Sequence, residues 1–296
     1  KTFYFIKTMT QDIYCIIGPT GIGKSAYAIE LATTLNAEII SADAYQVYRH
    51  MDIGTAKPNA AELKAAPHHL IDIKDPTEAY SLGDFLSLSK QLITDIRQKN
   101  KPVIICGGTA LFIHAFLYSY SLPNAQSDPD IRQDLLDQYD EYGKDYLWNK
   151  LQNIDPVSAA SIHPNNKHHL LRALEIYAIS KQKPSDIKQR SQTQRSDSKI
   201  IGLRSTKEVV HQRIDLRVKK MINDGFIDEV NDLRKRGVPS TAQSFKALGY
   251  LQVLDFIKGN INTKEMVECI QNLTKKFSKR QMTWFKKIEN VNWQEI

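Results

Sequence analysis

Residues 18–25 form a motif that could bind a phosphate chain. Their sequence, GPTGIGKS, matches the pattern G-x-x-x-x-G-K-[ST] and lies between an apolar run at 14–17 and a helical pattern at 25–35. In such a loop, backbone N–H groups and the helix start hold phosphate oxygens, a lysine adds positive charge and a serine hydroxyl ligates Mg²⁺. We therefore predict a site for a di- or triphosphate with Mg²⁺, whose metal ligand is Ser25, built by Gly18, Pro19, Thr20, Gly21, Ile22, Gly23, Lys24 and Ser25. The motif leaves the phosphate compound open.

Two further segments could carry chemistry beside this loop. Asp43 follows the apolar run 38–41, and Gly107-Gly108-Thr109 follows the run 102–106. If both runs are parallel strands, these residues lie at the carboxyl edge of the sheet, where α/β proteins bind ligands. A loop aspartate and a simple tight turn remain open as structural alternatives. Asp72 is the only acceptable candidate for the Mg²⁺-holding aspartate of an NTPase.

The elements around these residues predict an α/β fold. Short apolar runs at 13–17, 38–41, 69–73, 102–106 and 199–203 read as strands, and helical patterns begin near residues 24, 81 and 109. Buried strands that alternate with helices favour a parallel sheet with flanking helices. The fold class predicted is therefore a P-loop α/β sheet with a helical insertion and a helical C-terminal extension.

Residues 124–198 are predicted to be the helical insertion. Asp128-Pro129 is typical of a helix start, a second helical pattern covers 170–178, and the polar stretch 181–198 is expected to be a loose connector. The catalytic core would then comprise residues 10–123 and 199–296, helical to the end after the strand at 199–203.

Composition and charge restrict the class of protein. The chain has 296 residues, 42% of them hydrophobic, and its three cysteines are widely spaced, which argues against a disulfide framework or structural zinc site and favours the reducing cytosol. No apolar run approaches the length of about 18–20 residues that crosses a bilayer.

The net charge of +7 is concentrated at the C-terminal end, where residues 200–296 hold 18 Lys and Arg against 11 Asp and Glu. This favours a polyanionic partner such as nucleic acid.

The last long helical pattern separates charge from apolar residues. In a helical projection, Met266, Ile270, Leu273, Phe277 and Trp284 share one face, while the neighbouring face holds Lys275, Lys276, Lys279, Arg280, Lys286 and Lys287. One face should pack and the other could bind an anionic partner.

Several motifs together resemble the bacterial tRNA dimethylallyltransferases. Besides the phosphate loop they are ISAD at 40–43, VYR at 47–49, MDIGTAKP at 51–58, PHHLIDI at 67–73, GGT at 107–109, RALEIY at 172–177, LGY at 248–250 and KRQMTWF at 279–285. The similarity extends from about residue 13 to residue 293, and the segments 51–58 and 279–285 are its most specific parts.

The resemblance implies a prenyl transfer. Family members move a dimethylallyl group from dimethylallyl pyrophosphate to N6 of adenosine 37, beside the tRNA anticodon. By this similarity Asp43 is the catalytic base, and Thr109 either bonds the bridging oxygen of the donor or orients the adenine. Lys24 stabilises the leaving pyrophosphate, and Arg217 is a further candidate for contacting that group.

The resemblance also implies that the helical insertion, residues 124–198, grips the anticodon stem-loop of tRNA. The residues it assigns to tRNA are Asp43, Ala44, Tyr45, Gln46, Thr109, Arg132, His168, His169, Leu170, Leu171, Arg172, Lys246, Gly249, Tyr250, Lys279, Arg280, Gln281 and Trp284. Many relatives have Ser-Arg in place of Ala44-Tyr45 and Gln-Arg in place of His168-His169, so this chain departs from the family pattern at those contacts. We expect a monomer that works away from membranes.

Three alternatives stay open on sequence alone. A prenyltransferase that modifies free AMP would need the same core, an ATP-dependent small-molecule kinase would need the same phosphate loop, and an RNA-binding protein without activity would explain the basic half only. The basic half favours RNA over AMP, and the lack of a clear Mg²⁺ aspartate disfavours the kinase.

Overall fold

A six-stranded parallel sheet forms the centre of the fold in the computed structural model, which describes residues 12–120, 128–189 and 194–296. The strand order is β3-β2-β4-β1-β5-β6, and every pairing is parallel. The strands are β1 Ile13–Ile17, β2 Glu38–Ser41, β3 His68–His69, β4 Val103–Cys106, β5 Ser198–Arg204 and β6 Val291–Glu295. The predicted α/β class is confirmed.

Helices flank the sheet or follow it along the chain. They are α1 Lys24–Leu35, α2 Ala60–Ala65, α3 Leu82–Gln98, α4 Ala110–Leu117, α5 Pro129–Ile154, α6 Pro156–Ser161, α7 Lys167–Ser180, α8 Pro184–Gln189, α9 Lys207–Asn223, α10 Phe226–Lys235, α11 Tyr250–Ile257 and α12 Thr263–Phe285. Capping boxes start α3 at Ser81 and α12 at Asn262. In each, the side chain of the capping residue accepts a backbone N–H of the first turn, and an acidic side chain three residues later accepts the backbone N–H of the capping residue.

The buried central strands fix the position of the loops at the carboxyl edge of the sheet. Every residue of β1, β2 and β4 is buried, as expected for parallel strands covered on both faces. The carboxyl ends of these three neighbouring strands lead directly into residue 18, residue 42 and residue 107. The fold thus brings three sequence-distant loops to one edge.

Three details of the sequence-based prediction are wrong. The strand expected at 69–73 is only His68–His69, since Leu70 and Asp72 adopt positive φ angles of 63° and 57° that end extended pairing. The C-terminal end is not wholly helical, because β6 pairs with β5 and its Trp293 lies over Gly202, where an added Cβ would meet the ring at 2.5 Å. The supposed connector contains α8, while residues 190–193 lie outside the described residues.

Contacts divide the chain into two compact units, residues 1–115 with 196–296 and residues 116–195. The second unit has a core of its own, in which α5 and α7 bury Leu135, Leu147, Leu151, Leu170, Leu171 and Leu174. Gly143 interrupts α5 with a φ of 83°. In this unit the fully buried Glu175 accepts hydrogen bonds from Arg132 and Arg172, at 3.0 and 2.9 Å. In the part of the chain that the structure describes, no helix is long and apolar enough to span a membrane.

Candidate active site

The phosphate loop lies at the floor of a cavity of about 310 Å³. Its lining includes Thr20, Gly21, Gly23, Lys24 and Ser25 of the loop together with Asp43, Gly107 and Gly108. Gly23 precedes α1 with a φ of 104°, a left-handed conformation that glycine adopts without strain. The loop therefore presents its backbone and the start of α1 to the cavity, as an anion site requires.

Lys24 is held inside this cavity by neutral oxygens. Its Nζ donates to the carbonyl oxygens of Gly18 and Pro19, at 3.0 and 2.9 Å. Burial, helped by the positive charge of Arg217, lowers the pKa of the Lys24 ammonium to about 8. An anion in the cavity would reverse this shift, because it favours the charged form.

Two arginines of α9 add positive charge one helical turn apart. Arg213 donates to the carbonyl oxygen of Ile22 at 3.0 Å, and Arg217 approaches the Thr20 hydroxyl at 3.5 Å. Burial lowers the pKa of Arg217, and the Asp43 carboxylate acts in the opposite sense. Arg213 was not predicted as a site residue, although its spacing of four from Arg217 places both on one helix face.

Asp43 is fixed at the end of β2 by its own turn. Its Oδ1 accepts the N–H groups of Tyr45 and Gln46 at 2.9 and 3.3 Å, and its Oδ2 faces Gly108, where an added Cβ would lie 2.9 Å away. Thr109 is tied to the same turn, since its hydroxyl accepts the Ala44 N–H at 2.9 Å. The structure therefore joins Asp43 and Thr109 into one rigid corner.

A second cavity of about 360 Å³ opens beside the first and is mainly apolar. Both cavities are lined by Thr20, Asp43, Thr55, Gly108 and Arg217. The apolar walls come chiefly from Ile214, Val218, Met221, Leu248, Ile270 and Phe277. A cationic cleft that meets an apolar pocket at a carboxylate suits a substrate with an anionic leaving group and an apolar group to be transferred.

The segment 51–58 contributes Gly54, Thr55 and Ala56 to the walls of the two cavities and is held in place by side-chain hydrogen bonds. Glu229 of α10 accepts the N–H groups of Asp52, Ile53 and Gly54, at 2.7, 2.6 and 3.1 Å, and the Tyr250 hydroxyl at 2.6 Å. The Gln46 amide donates to the carbonyl oxygens at 55 and 56, and Lys57 donates to that at 48.

Comparison with known proteins identifies the family. The family model described as IPP transferase matches residues 46–288. A protein of Halalkalibacterium halodurans named tRNA dimethylallyltransferase is 39% identical over 96% of this chain and 91% of its own length. One of Geobacillus thermodenitrificans with the same name is 41% identical, over 96% and 90%.

The chain belongs to the IPP transferase family. The resemblance predicted from the sequence motifs is thereby confirmed. Among solved structures, the full-length tRNA isopentenylpyrophosphate transferase of Bacillus halodurans has a TM-score of 0.71 and 38% identity, over 96% of this chain and 90% of that one. A eukaryotic dimethylallyltransferase described as acting on tRNA has a TM-score of 0.85 at 27% identity, over 96% and 73%. The fold of this IPP transferase is therefore that of its family.

The structure brings most of the predicted donor-site residues of this IPP transferase to two adjoining cavities, whereas Gly18, Pro19 and Ile22 are buried and line neither of them. Lys24, Ser25, Asp43 and Arg217 line the phosphate cavity, and Thr109 lines the adjoining one. Asp72, by contrast, forms an ion pair with Lys57 and has a side chain 47% exposed. It is thus a surface partner of Lys57.

The predicted RNA-binding residues divide into exposed and buried ones. Exposed are His168 and His169 of the second unit and Lys246, Lys279, Arg280 and Trp284 of the first, whereas Arg132, Arg172, Ala44, Tyr45 and Gln46 are half-buried. The prediction needs correction for the side chains of Leu170, Leu171, Tyr250 and Gln281, which are buried, and Gly249 is buried against Phe226. These groups pack in the two cores or bond inside the site, so they present no side chain to RNA.

Proposed function

We propose that this IPP transferase moves the dimethylallyl group of dimethylallyl pyrophosphate to N6 of adenosine 37 in the anticodon stem-loop of tRNA, and releases pyrophosphate. The observation that carries the proposal is the meeting of the cationic cleft and the apolar pocket at Asp43. The relatives named tRNA dimethylallyltransferase support the same reaction.

The donor's pyrophosphate would lie on the phosphate loop. Backbone N–H groups, Lys24 and Arg217 would bind its oxygens, and Arg213 would add charge at the side of α9. The developing negative charge on the leaving group is greatest as the C1–O bond breaks, so these donors act most strongly in the transition state.

We propose that Mg²⁺ binds in this cleft with the Ser25 hydroxyl as a protein ligand. Ser25 is exposed and lines the phosphate cavity. Within the described ranges no group of three or more His, Cys, Asp or Glu could hold a metal ion, and Mg²⁺ often relies on few protein ligands together with phosphate oxygens and water. The ion would neutralise part of the charge of the pyrophosphate.

Asp43 would accept the proton that the acceptor loses. The exocyclic amine of adenine is a weak nucleophile because its lone pair is delocalised into the ring. As N6 bonds to C1 and C1–O breaks, one N6 proton passes to the Asp43 carboxylate, whose Oδ1 is already oriented by two backbone N–H groups. Thr109, fixed to the same turn, would orient the substrates.

The acceptor would reach the apolar pocket as a base flipped out of the anticodon loop. Exposed cations of α12 and the residues that follow it provide an anion-binding surface beside the pocket, which is rimmed by Arg280 and the 41% exposed Trp284.

An acceptor comparison tests the proposal. Purified protein with Mg²⁺ and dimethylallyl pyrophosphate is offered an anticodon stem-loop, AMP or no acceptor, and products are separated by mass. We expect prenylated stem-loop and no prenylated AMP. Prenylated AMP alone would favour the nucleotide prenyltransferase, and turnover of ATP without allylic donor would favour the kinase. A stem-loop that binds but stays unmodified would refute the proposal.

A further inference from the structure

Gln281 lies on the buried side of the helix whose other side is basic. In α12 its neighbours Lys279 and Arg280 are exposed, whereas Gln281 is only 2% exposed. Ser278 and Phe285, on the same side, are buried as well. Gln281 is therefore poorly placed to contact RNA with its side chain, although it belongs to the same motif as the exposed cations.

Both halves of the Gln281 carboxamide bind the active-site loops. Its Oε1 accepts the N–H of Thr20 in the phosphate loop at 2.8 Å, and its Nε2 donates to the carbonyl oxygen of Gly108 at 2.6 Å. These partners lie 261 and 173 residues away in sequence. The Gln281 side chain thus bridges the phosphate loop and the turn that carries Thr109.

Thr20 and Gly108, the two residues that Gln281 bonds, both line the cavities that would hold the substrates. Thr20 lines both cavities, and its hydroxyl is approached by Arg217. Gly108 lies against Asp43, because an added Cβ there would be 2.9 Å from Asp43 Oδ2 and 3.4 Å from Gln281 Nε2. The distance between the leaving group and the base therefore depends on both anchors of Gln281.

We infer that Gln281 is a positioning residue for prenyl transfer, which holds the phosphate loop and the Gly107–Gly108–Thr109 turn at the separation that aligns the leaving pyrophosphate with Asp43. A carboxylate cannot replace the carboxamide because it has no N–H to donate to Gly108. An aliphatic side chain cannot replace it because it has neither a donor nor an acceptor. Because the same helix carries the exposed cations, Gln281 also connects the RNA-facing helix to the donor site.

The test separates turnover from RNA binding. In Gln281→Met, which keeps the approximate length and volume, we expect kcat at saturating donor and stem-loop to fall at least tenfold, while the Kd of the stem-loop stays within twofold. In Lys279→Ala, two residues away on the exposed side, we expect the Kd to rise. A Kd that rises fivefold or more in Gln281→Met with kcat retained, or a kcat within twofold of wild type, would overturn the inference.

A second variant guards against loss of folding. Gln281→Glu keeps an acceptor for the Thr20 N–H but has no donor for Gly108, so it should also lose kcat tenfold while thermal unfolding shows an intact protein. The inference rests on the proposed function, and a wild-type protein that transfers nothing would refute that function first. Calorimetric binding of inorganic pyrophosphate then tests Gln281 directly, with at least threefold weaker binding expected in Gln281→Met and unchanged binding contradicting its role.

Discussion

Charged side chains have different partners at the two ends of the parallel sheet. At the amino ends, the carboxylate of Glu38, 4% exposed, accepts bonds from His69, Lys99 and Lys101 at 2.8, 3.3 and 3.1 Å. At the carboxyl ends, Lys24, Arg213 and Arg217 donate to neutral oxygens, and among the described residues none of the three forms an ion pair.

This difference separates a structural cluster from a binding site. Where a buried carboxylate pairs with cations of the same chain, as Glu38 does, the gain is stability. Where a buried cation donates only to neutral oxygens, as Lys24 does, its desolvation is offset when an anion binds, and the half-buried Arg217 and the exposed Arg213 add positive charge beside it. Ion pairs at the amino end of the sheet therefore stabilise the fold, whereas the cations at its carboxyl end can bind a pyrophosphate.

The largest effect is expected from removing the carboxylate between the two cavities. Asp43→Asn preserves an acceptor for the Tyr45 and Gln46 N–H groups but no longer takes a proton, so turnover should fall by about 10² to 10⁴. Stem-loop binding, measured by fluorescence anisotropy, should stay within twofold. Asp72→Asn is the matched control, since that carboxylate pairs with Lys57 at the surface. Equal loss of binding and turnover in Asp43→Asn would remove its assignment as the base.

The next effect concerns the pH dependence of donor binding. Because burial lowers the pKa of Lys24 to about 8 in the free protein and a bound anion raises it, the contribution of Lys24 to donor affinity should be constant below pH 8. It should then fall by up to about tenfold per pH unit above that value, as the ammonium loses its proton. Calorimetry with dimethylallyl pyrophosphate measures this. Lys24→Met should bind more weakly at pH 7 and show no bend near pH 8; a bend of the same size in this variant would assign it to another group.

A smaller effect is expected at the opposite end of the sheet, on stability alone. Burial by itself raises the pKa of Glu38, but the bonds from His69, Lys101 and Lys99 outweigh it and lower the pKa to about 2. The cluster should therefore stabilise the fold fully above the unfolded pKa of about 4.3, by about 3 kcal/mol, and lose this as pH falls towards 2.

Chemical denaturation of Glu38→Gln tests that cluster. The variant should be about 3 kcal/mol less stable at pH 7, with a reduced acid dependence and unchanged prenyl transfer. Asp232→Asn, which breaks an ion pair with both side chains more than 60% exposed, is the control and should cost less than about 1 kcal/mol. Loss of transfer in folded Glu38→Gln would contradict the separation of the two ends.

The smallest effect is expected from a single exposed cation of α12. Lys279→Ala should flatten the plot of log Kd for the stem-loop against log salt concentration by about 0.7 to 0.9. Lys64→Ala, on the exposed surface of α2, should leave the slope unchanged. Equal slopes for both variants would show that this face of α12 does not bind RNA.

Local signals in the sequence predicted much of the fold and the donor cleft. Residues 18–25 are contiguous, and Asp43 and Thr109 follow strands that lie side by side in the sheet, so placing them at one edge needed only the alternation of strands and helices. The bonds of Glu229 could not be predicted in this way, because they join positions 175 to 177 residues apart.

For Gln281, two signals in the sequence disagreed. The helical projection puts it at about 240°, beside the apolar residues at about 160–220°. The family motif instead suggested RNA contact, and the structure agrees with the projection. Trp284 shows the reverse, since the projection placed it in the packing face but it is 41% exposed at the rim of the apolar pocket.

The most direct measurement uses two anticodon stem-loops that differ only at position 37, adenosine in one and guanosine in the other. Each is incubated with the protein, Mg²⁺ and dimethylallyl pyrophosphate, and its nucleosides are separated and identified by mass. The account predicts one N6-dimethylallyl adenosine in the first stem-loop and none in the second, with both bound to similar extents. Modification of both, or of neither while both bind, would contradict it.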